Sequence, residues 1–533
     1  MVKEKILKLL QKAIKKIVEK RNLSEFEFKH IQIEYPKNKI FGDYSTNLAL
    51  ALAKALEKNP IEIGEKIKSE ILKLKSDLFE KIEVVKPGFI NFFIKKEFLQ
   101  KKLFEILKEK ENFGKLKLGK NQKVQVEFIS ANPTGPLHVG HGRSAFFGDL
   151  LAKVLEKAGY KVEREYFIND GKFNTQIRIL GQTALGRGTA YLTKELKFQI
   201  LKLKSKLKKI TNEGEAGYLL AREIQKQNKK FIEKKLKIKF DRWISEESLY
   251  EQSKVKKIYR WLKKKGLIYE KDGAQWLKIS EFGGEKDEVV IRKDGTPTYF
   301  LSDIAYHKTK FDRNFKKIIN IWGADHQGHV KRMKAVAKIF KYKGDFEILI
   351  SQIVTLKGGK KFSKRKGEII TLDRLIDEVG LDVARFFYLT KSLSTQMEFD
   401  LDLAKEQSEK NPVYYIQYAH ARICSILKKC KNQNLKIKIQ NLKFLNHQRE
   451  LDLIKELIKF PEIIEDCAKD YQLQRICQYA LDLATLFHQF YQECKVLTED
   501  KNLMEARLGL ILATKIVLKN VLDLMGISAP ERM

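Results

Sequence analysis

The chain has 533 residues and a hydrophobic fraction of 43%, which is too long for one ordinary domain and ample for several cores, so three or more domains are expected. Its five cysteines (Cys424, Cys430, Cys467, Cys477, Cys494) are odd in number, confined to the last quarter and without CxxC spacing, which disfavours a disulfide framework and a zinc knuckle, and no apolar run reaches the roughly 18 residues of a membrane span. The formal net charge of +37 predicts a polyanionic partner, because neutralising phosphates releases counterions, although a Lys-rich proteome with solvated faces gives the same figure.

In chain order, residues 2–20 predict a helix with Ile6, Leu9, Leu10, Ile14 and Val18 on one face. The segment is amphipathic and basic, but Glu4, Glu19 and the lack of a small-residue cleavage site argue against a targeting peptide, so the protein is expected to be cytoplasmic. FGDYSTNLALALAKALEK predicts a helix starting after Ser45 or Thr46, and KIEVVKPGFINFFIKK two strands joined at Pro87-Gly88. Asn91 lies among Phe89, Ile90, Phe92 and Phe93, a setting for hydrogen bonding and stacking with a base, or equally for a turn-side Asn in a packed strand.

The glycine-spaced, lysine-rich stretch ENFGKLKLGKNQK marks a boundary near 115–120. Beyond it EFISANPTGPLHVGHGRSAFFGD reads as strand, glycine-bearing loop and helix, with His138 and His141 at the helix entry. Unpaired N-H groups and a positive dipole end at a helix start suit a polyphosphate. KVEREYFINDGKFNTQIRIL repeats strand, polar loop and helix, which predicts a doubly wound parallel sheet. Residues 181–285 carry long basic helices and short strand-like pieces and are expected to form an insertion. In VVIRKDGTPTYFLSDIAYHKTK, Asp294-Gly295 predicts a hairpin turn and Ser302 or Asp303 a helix cap. KKIINIWGADHQGHVKRM repeats the opening architecture, and LKGGKKFSKRKGEII is a glycine-bearing loop crowded with Lys360, Lys361, Lys364, Arg365 and Lys366. From about 386 the chain is expected to be helical, beginning with the Asn411-Pro412 cap of NPVYYIQYAHARICSIL.

The two cationic elements, HVGH at 138–141 and KFSKRKG at 361–367, resemble the HIGH and KMSKS motifs of class I aminoacyl-tRNA synthetases. With SANPTGPLHVGHGR, YFINDGKFNTQI, DGTPTYFLSDIAYH, IWGADHQGHVKRM, NPVYYIQYAHARICSI and GISAPERM, the whole chain resembles the arginyl-tRNA synthetase family. Val139 stands where many relatives carry Ile, and Phe362 and Arg365 depart from the KMSKS text; Lys364 is retained. The resemblance implies a Rossmann-type α/β catalytic domain at 116–385, an N-terminal α/β module at 1–115 that contacts tRNA, and a C-terminal all-α anticodon-binding bundle at 386–533. It implies a monomer acting on L-arginine, ATP and tRNA(Arg), with members of the family usually requiring tRNA for activation.

Activation needs the arginine carboxylate to attack the α-phosphorus of ATP in line, which positioning and electrostatic stabilisation favour. His138 and His141 are expected to hydrogen-bond phosphate or ribose oxygens, Lys361 and Lys364 to close over pyrophosphate, and Gly140 and Gly142 to admit backbone and adenine. Pro136, Leu137, Asp325, His326 and Ser363 complete the expected ATP site. A guanidinium needs carboxylates and other acceptors. Glu127, in a strand covered on both faces, is costly unless paired, and a bound arginine would pair it. By resemblance Ser130, Asn132, Tyr299, Asp303 and Gln327 complete the arginine site. Asn91 falls where the family has a base-contacting Asn, and Tyr414 and Tyr418 are the stacking candidates for tRNA.

His138, His141, His326 and His329 lack zinc-site spacing, so no protein-bound metal is expected, and Mg²⁺ should arrive on the ATP phosphates. Two rivals stand beside this reading: another class I synthetase, cysteine- or glutamate-specific, and a non-enzymatic RNA-binding protein built on a retired synthetase. The first would need a thiolate-binding zinc in the catalytic half if cysteine-specific, and the second should have lost a motif lysine or histidine.

Overall fold

The computed structural model describes residues 1–18, 31–359, 370–430 and 439–533. Its N-terminal module comprises α1 (Val2–Val18), β1 (Tyr44–Thr46), α2 (Leu48–Leu56), α3 (Pro60–Lys73), β2 (Phe79–Val85), β3 (Phe89–Ile94) and α4 (Lys96–Glu109). Helix α1 buries Ile6, Leu10 and Ile14, the stripe its spacing predicts. The predicted strand pair forms, and β3 is antiparallel to β2 on one side and to β1 on the other. Strand β1 is too short to leave a period in the sequence, and α2 starts just past it at Leu48, close to the expected start after Ser45 or Thr46.

The catalytic half runs β4 (Lys123–Glu127), α5 (Val139–Lys157), β5 (Lys161–Ile168), α6 (Thr175–Ala184), α7 (Lys194–Lys202), α8 (Lys204–Leu207), α9 (Glu213–Lys234), β6 (Arg242–Ser245), α10 (Glu246–Glu251), α11 (Lys254–Lys264), β7 (Ile268–Lys271), β8 (Ala274–Leu277), β9 (Glu288–Ile291), α12 (Tyr299–Phe311), β10 (Lys317–Gly323), α13 (Val330–Ile339) and β11 (Asp345–Ser351). Five of these strands form one sheet in the order β11-β10-β4-β5-β6, every neighbour parallel. Val124, Gln125 and Val126 of β4 are fully buried, as a central strand covered on both faces requires. Strand order reverses between β4 and β10, which opens the crevice in which α/β sheets bind ligands.

Strand β6 falls inside the 181–285 stretch expected to be an insertion, yet it is the edge strand of the central sheet. The chain therefore makes two excursions: α6 to α9, which share their own small core, and the antiparallel trio β7 to β9. Four residues carry too little periodicity to announce a strand.

The remainder runs β12 (Val354–Leu356), α14 (Leu372–Val379), α15 (Leu381–Leu389), β13 (Met397–Phe399), α16 (Leu401–Lys405), α17 (Pro412–Cys430), α18 (Gln448–Leu457), α19 (Phe460–Asp470), α20 (Gln474–Glu493) and α21 (Lys501–Met525). Val413 N donates to Asn411 Oδ1 at 3.0 Å, so the expected cap is in place. The five cysteines are free and buried. Among the described residues no helix is long and apolar enough to cross a membrane.

The helical bundle docks on the N-terminal module through Glu462 of α19, which is fully buried. It accepts from Lys3 N (2.8 Å) and Tyr35 Oη (2.6 Å), with Tyr44 Oη at 3.2 Å. Burial pushes its carboxyl above the ordinary range while those donors pull it back. The ion pairs Lys3 to Asp466 and Lys455 to Asp43 flank the contact.

Candidate active site

The site begins where β4 ends. Glu127 closes the strand, and Ile129 and Ser130 follow with φ of +68° and +38°, a left-handed pair without glycine. A β-branched residue there is strained, and such strain persists only where the surroundings enforce it. Two bonds to the β5 end do so: Phe167 N donates to Ser130 Oγ (3.1 Å) and Asn169 Nδ2 to Ser130 O (3.0 Å). The Ser130 hydroxyl thus already accepts a bond from the sheet. The chain then crosses exposed Asn132 and Pro136 and enters α5 at His138.

His138 is the N-cap of α5. Its Nδ1 accepts from Gly140 N (3.0 Å), and His141 Nδ1 accepts from His138 N (3.1 Å), a reciprocal capping box. Because both Nδ1 atoms accept, each neutral ring carries its proton on Nε2, a donor left for a ligand. Burial lowers the His138 pKa, and burial together with His138 pulls His141 down to about 3. The HVGH element expected to be cationic is therefore a pair of neutral donors at a helix N-terminus. The glycines also act differently from expectation. A Cβ on Gly142 would lie 2.8 Å from the Tyr388 ring, and one on Gly140 2.8 Å from the His138 ring. Gly142 is buried against protein, so its missing side chain admits Tyr388 rather than adenine. Leu137 is likewise a core residue.

Across the crevice lies an acidic floor. Tyr299 and Asp303 sit on α12, which starts at Tyr299 after the N-cap Thr298, so neither Ser302 nor Asp303 caps it. Four apart on one helix, they share a face. Tyr299 is 47% exposed and Asp303 half-buried. Burial raises the Asp303 pKa well above the carboxylate range, and Glu246 and Glu127 push it further. Glu246 and Glu247, the first residues of α10, were not singled out from the sequence. Glu246 accepts from Ser302 Oγ (2.7 Å), Asn174 Nδ2 (3.2 Å) and Gly171 N (3.3 Å), and Glu247 accepts from Lys172 N (2.9 Å). Burial raises the carboxyls of Glu246 and Asp170 as well. The available signal was a Glu-Glu pair directly after a strand, at the C-terminal end where α/β sheets present ligands.

Glu127 is 3% exposed and pairs with fully buried Lys310 of α12; Tyr306 Oη lies 3.2 Å from it. Lys310 Nζ also donates to Asn320 Oδ1 (2.8 Å), whose Nδ2 donates to His307 Nε2 (2.8 Å), and His307 Nδ1 donates to the Asp303 carbonyl (2.8 Å). The Glu127 charge is thus compensated within the protein, and its burial does not by itself demand an arginine. What the network does is hold α12, and with it Asp303, against β4 and β10.

Asp325, His326 and Gln327 form an exposed turn after β10, with the His326 and His329 rings 5.5 Å apart and Tyr299 5.8 Å from His329. Lys361, Ser363 and Lys364 lie outside the described residues. The described chain resumes beside the histidine loop: Val139 N donates to Ile370 O and Leu372 N to Leu137 O. Asn91 is not on the surface. It is 1% exposed in β3, its Oδ1 accepts from Ser45 Oγ (2.7 Å), and its Nδ2 has no partner among the described residues. Tyr418 is 44% exposed and stacks on His488, whereas Tyr414 is half-buried. Among the described residues no group of three His, Cys, Asp or Glu side chains is placed to hold a metal ion.

Residues 102–386 match the family model for the catalytic domain of class I tRNA synthetases (R), which puts the sheet and its histidine-capped helix in the class I aminoacyl-tRNA synthetases. Residues 4–94 match the arginyl tRNA synthetase N terminal domain and 416–533 the DALR anticodon binding domain. The chain is 43% identical to the arginine-tRNA ligase of Carboxydothermus hydrogenoformans, covering 94% of each, and 42% identical to that of Bacillus subtilis over the full length of both. Its fold is similar to that of Thermus thermophilus arginyl-tRNA synthetase, with a TM-score of 0.79 at 23% identity, covering 98% of this chain and 99% of the other. The chain belongs to the arginyl-tRNA synthetase family. It is an aminoacyl-tRNA ligase whose substrates are arginine, ATP and tRNA(Arg).

Proposed function

We propose that the acidic floor of Asp303, Glu246 and Glu247 receives the guanidinium, with Tyr299 closing over it, that Ser130, Asn132 and Gln327 hold the α-amino and carboxylate end, and that Glu127 serves the arginine site through its pair with Lys310, which fixes α12. The observation that carries this is the half-buried Asp303 beside buried Glu246, two carboxylates with no cation between them in the described contacts. ATP lies across the α5 N-terminus, where the Nε2-H groups of His138 and His141 donate to phosphate or ribose oxygens. Asp325 and His326 line the other wall, and Lys361, Ser363 and Lys364 face the leaving pyrophosphate. An arginine carboxylate oxygen bonds to the α-phosphorus as the bond to the bridging oxygen breaks, giving arginyl-adenylate and pyrophosphate. A terminal ribose hydroxyl of the tRNA then attacks the acyl carbon and AMP leaves. Neutral donors fixed before the reaction stabilise the growing phosphate charge without reorganising. Mg²⁺ enters with ATP, bound chiefly by its phosphates.

For the tRNA, Tyr418 offers an exposed ring to an anticodon base, with Tyr414 beside it, and Asn91, buried in β3 with only its amide nitrogen unpartnered among the described residues, is the candidate of the N-terminal module. We assign that module to 1–115, the catalytic part to 116–385 and the bundle to 386–533, in a cytoplasmic monomer. ATP-pyrophosphate exchange with each amino acid, with tRNA(Arg) present, tests the reading. Arginine alone should support exchange; exchange driven by cysteine or glutamate instead would reverse the specificity assignment.

A further inference from the structure

Helix α9 touches both sides of the site. Its N-terminal half packs against α6 with backbones in contact: a Cβ on Gly217 would lie 1.8 Å from Ile177 O, and one on Gly181 1.8 Å from Glu213 O. A Cβ on Gly214 would lie 2.5 Å from Lys172 O, in the loop whose Gly171 and Lys172 amides hold Glu246 and Glu247. About four turns beyond Gly214, roughly 21 Å along the axis, Asn228 is 4% exposed and its Nδ2 donates to Gly135 O at 3.0 Å. Among the described residues this is the one side-chain hydrogen bond made to the loop from Asn132 to Leu137, the stretch that delivers His138. Beside Gly135 to Leu137 lies a cavity of about 130 Å³ bordered by Leu196, Gln199, Ile224 and Phe231.

We propose that α9 is a rigid coupler between the arginine and ATP halves of the site, and that Asn228 is the positioning residue through which it acts. A guanidinium seated on Glu246 and Glu247 shifts the 169–174 loop bonded to them, and that shift is passed along α9 to Gly135, which sets the height of His138 and His141. Glycine-tight packing at one end and a single buried hydrogen bond at the other make the connection stiff rather than diffuse. Coupling of this kind is reciprocal, so it is measurable at equilibrium from either ligand.

The inference rests on the two half-sites proposed above, and the test separates them. Using the full-length protein with tRNA(Arg), the Kd for α,β-methylene-ATP is measured with and without saturating arginine for wild type, Asn228→Ala, Asn228→Asp and Asp303→Asn. Wild type should bind the analogue at least fivefold more tightly with arginine, the lower end of ordinary coupling. Both Asn228 variants should weaken analogue binding about tenfold, as loss of a buried hydrogen bond allows, with the arginine effect falling toward one. Asn228→Asp keeps the side-chain shape, so agreement between the two variants excludes simple loss of packing. A wild-type arginine effect of one, or an unchanged effect in both Asn228 variants, overturns the coupler. Full arginine response in Asp303→Asn would instead overturn the placement of the arginine site.

Discussion

At Asp303 the chemistry of recognition and its pH dependence meet. Burial, Glu246 and Glu127 raise the pKa of its carboxyl well above the ordinary value, so a proton competes with the guanidinium for it at higher pH than for an ordinary carboxyl. The sign follows: arginine affinity rises with pH until the free-site pKa is reached and then levels, with a slope of up to about tenfold per pH unit below it. Arginine KM measured in a pH series that starts in the ordinary carboxyl range and runs upward should show this fall in wild type. Asp303→Asn should flatten the profile and raise KM about 100-fold or more, since a charged pair is lost. Beneath Asp303, Lys310 and Glu127 form a pair with neither group in contact with bulk water. Lys310→Met should therefore destabilise by about 3–5 kcal/mol in chemical denaturation, and adding Glu127→Gln should recover part of it, because the larger share of the loss is the orphaned carboxylate. The need for a partner at Glu127 was legible in the sequence. Its identity was not: Lys310 is 183 residues away along the chain, and pairing at that separation leaves no local signal.

At the scale of elements, α5 shows how one helix start performs two tasks. The sequence placed both histidines at its entry, but it does not display which ring nitrogen is engaged or how far burial suppresses charge, so the pair read as cationic. The capping box reverses that reading and separates the two tasks experimentally. Asn caps helices as well as any residue, so His138→Asn should keep the melting temperature near wild type while reducing kcat about 100-fold or more, the scale of losing a preorganised donor. His138→Ala should lose the activity and about 1 kcal/mol of stability as well. Equal destabilisation by both variants would make His138 chiefly structural. Helix α10 teaches the converse. Glu246 and Glu247 follow a strand of four residues within a lysine-rich stretch of the chain, and composition outweighed position in the reading of that stretch.

Across the whole molecule, the long periodic segments and the strand-loop-helix repeats disclosed the sheet and the bundle, while β1 and β6, of three and four residues, emerged only from pairing with distant partners. Docking between domains was likewise invisible, because its contacts, those of Glu462 foremost, join residues more than 400 positions apart along the chain. Glu462 receives a backbone amide and a tyrosine hydroxyl from the first 35 residues, with Tyr44 beside them, all in a buried seam. Glu462→Ala leaves those donors unpaired, each costing about 1–3 kcal/mol. The expected result is faster amide hydrogen exchange through α1 and β1 to β3 with the catalytic sheet unchanged; uniform protection in all domains would show that the seam does not depend on Glu462.

The central claim is that buried carboxylates choose the amino acid by its charge. It is tested most directly by the ratio of kcat/KM for charging tRNA(Arg) with arginine and with citrulline, whose neutral urea group matches the guanidinium in shape. A site that must pair Asp303 and Glu246 should prefer arginine by about 10⁴-fold. Citrulline charged within tenfold of arginine would contradict the account.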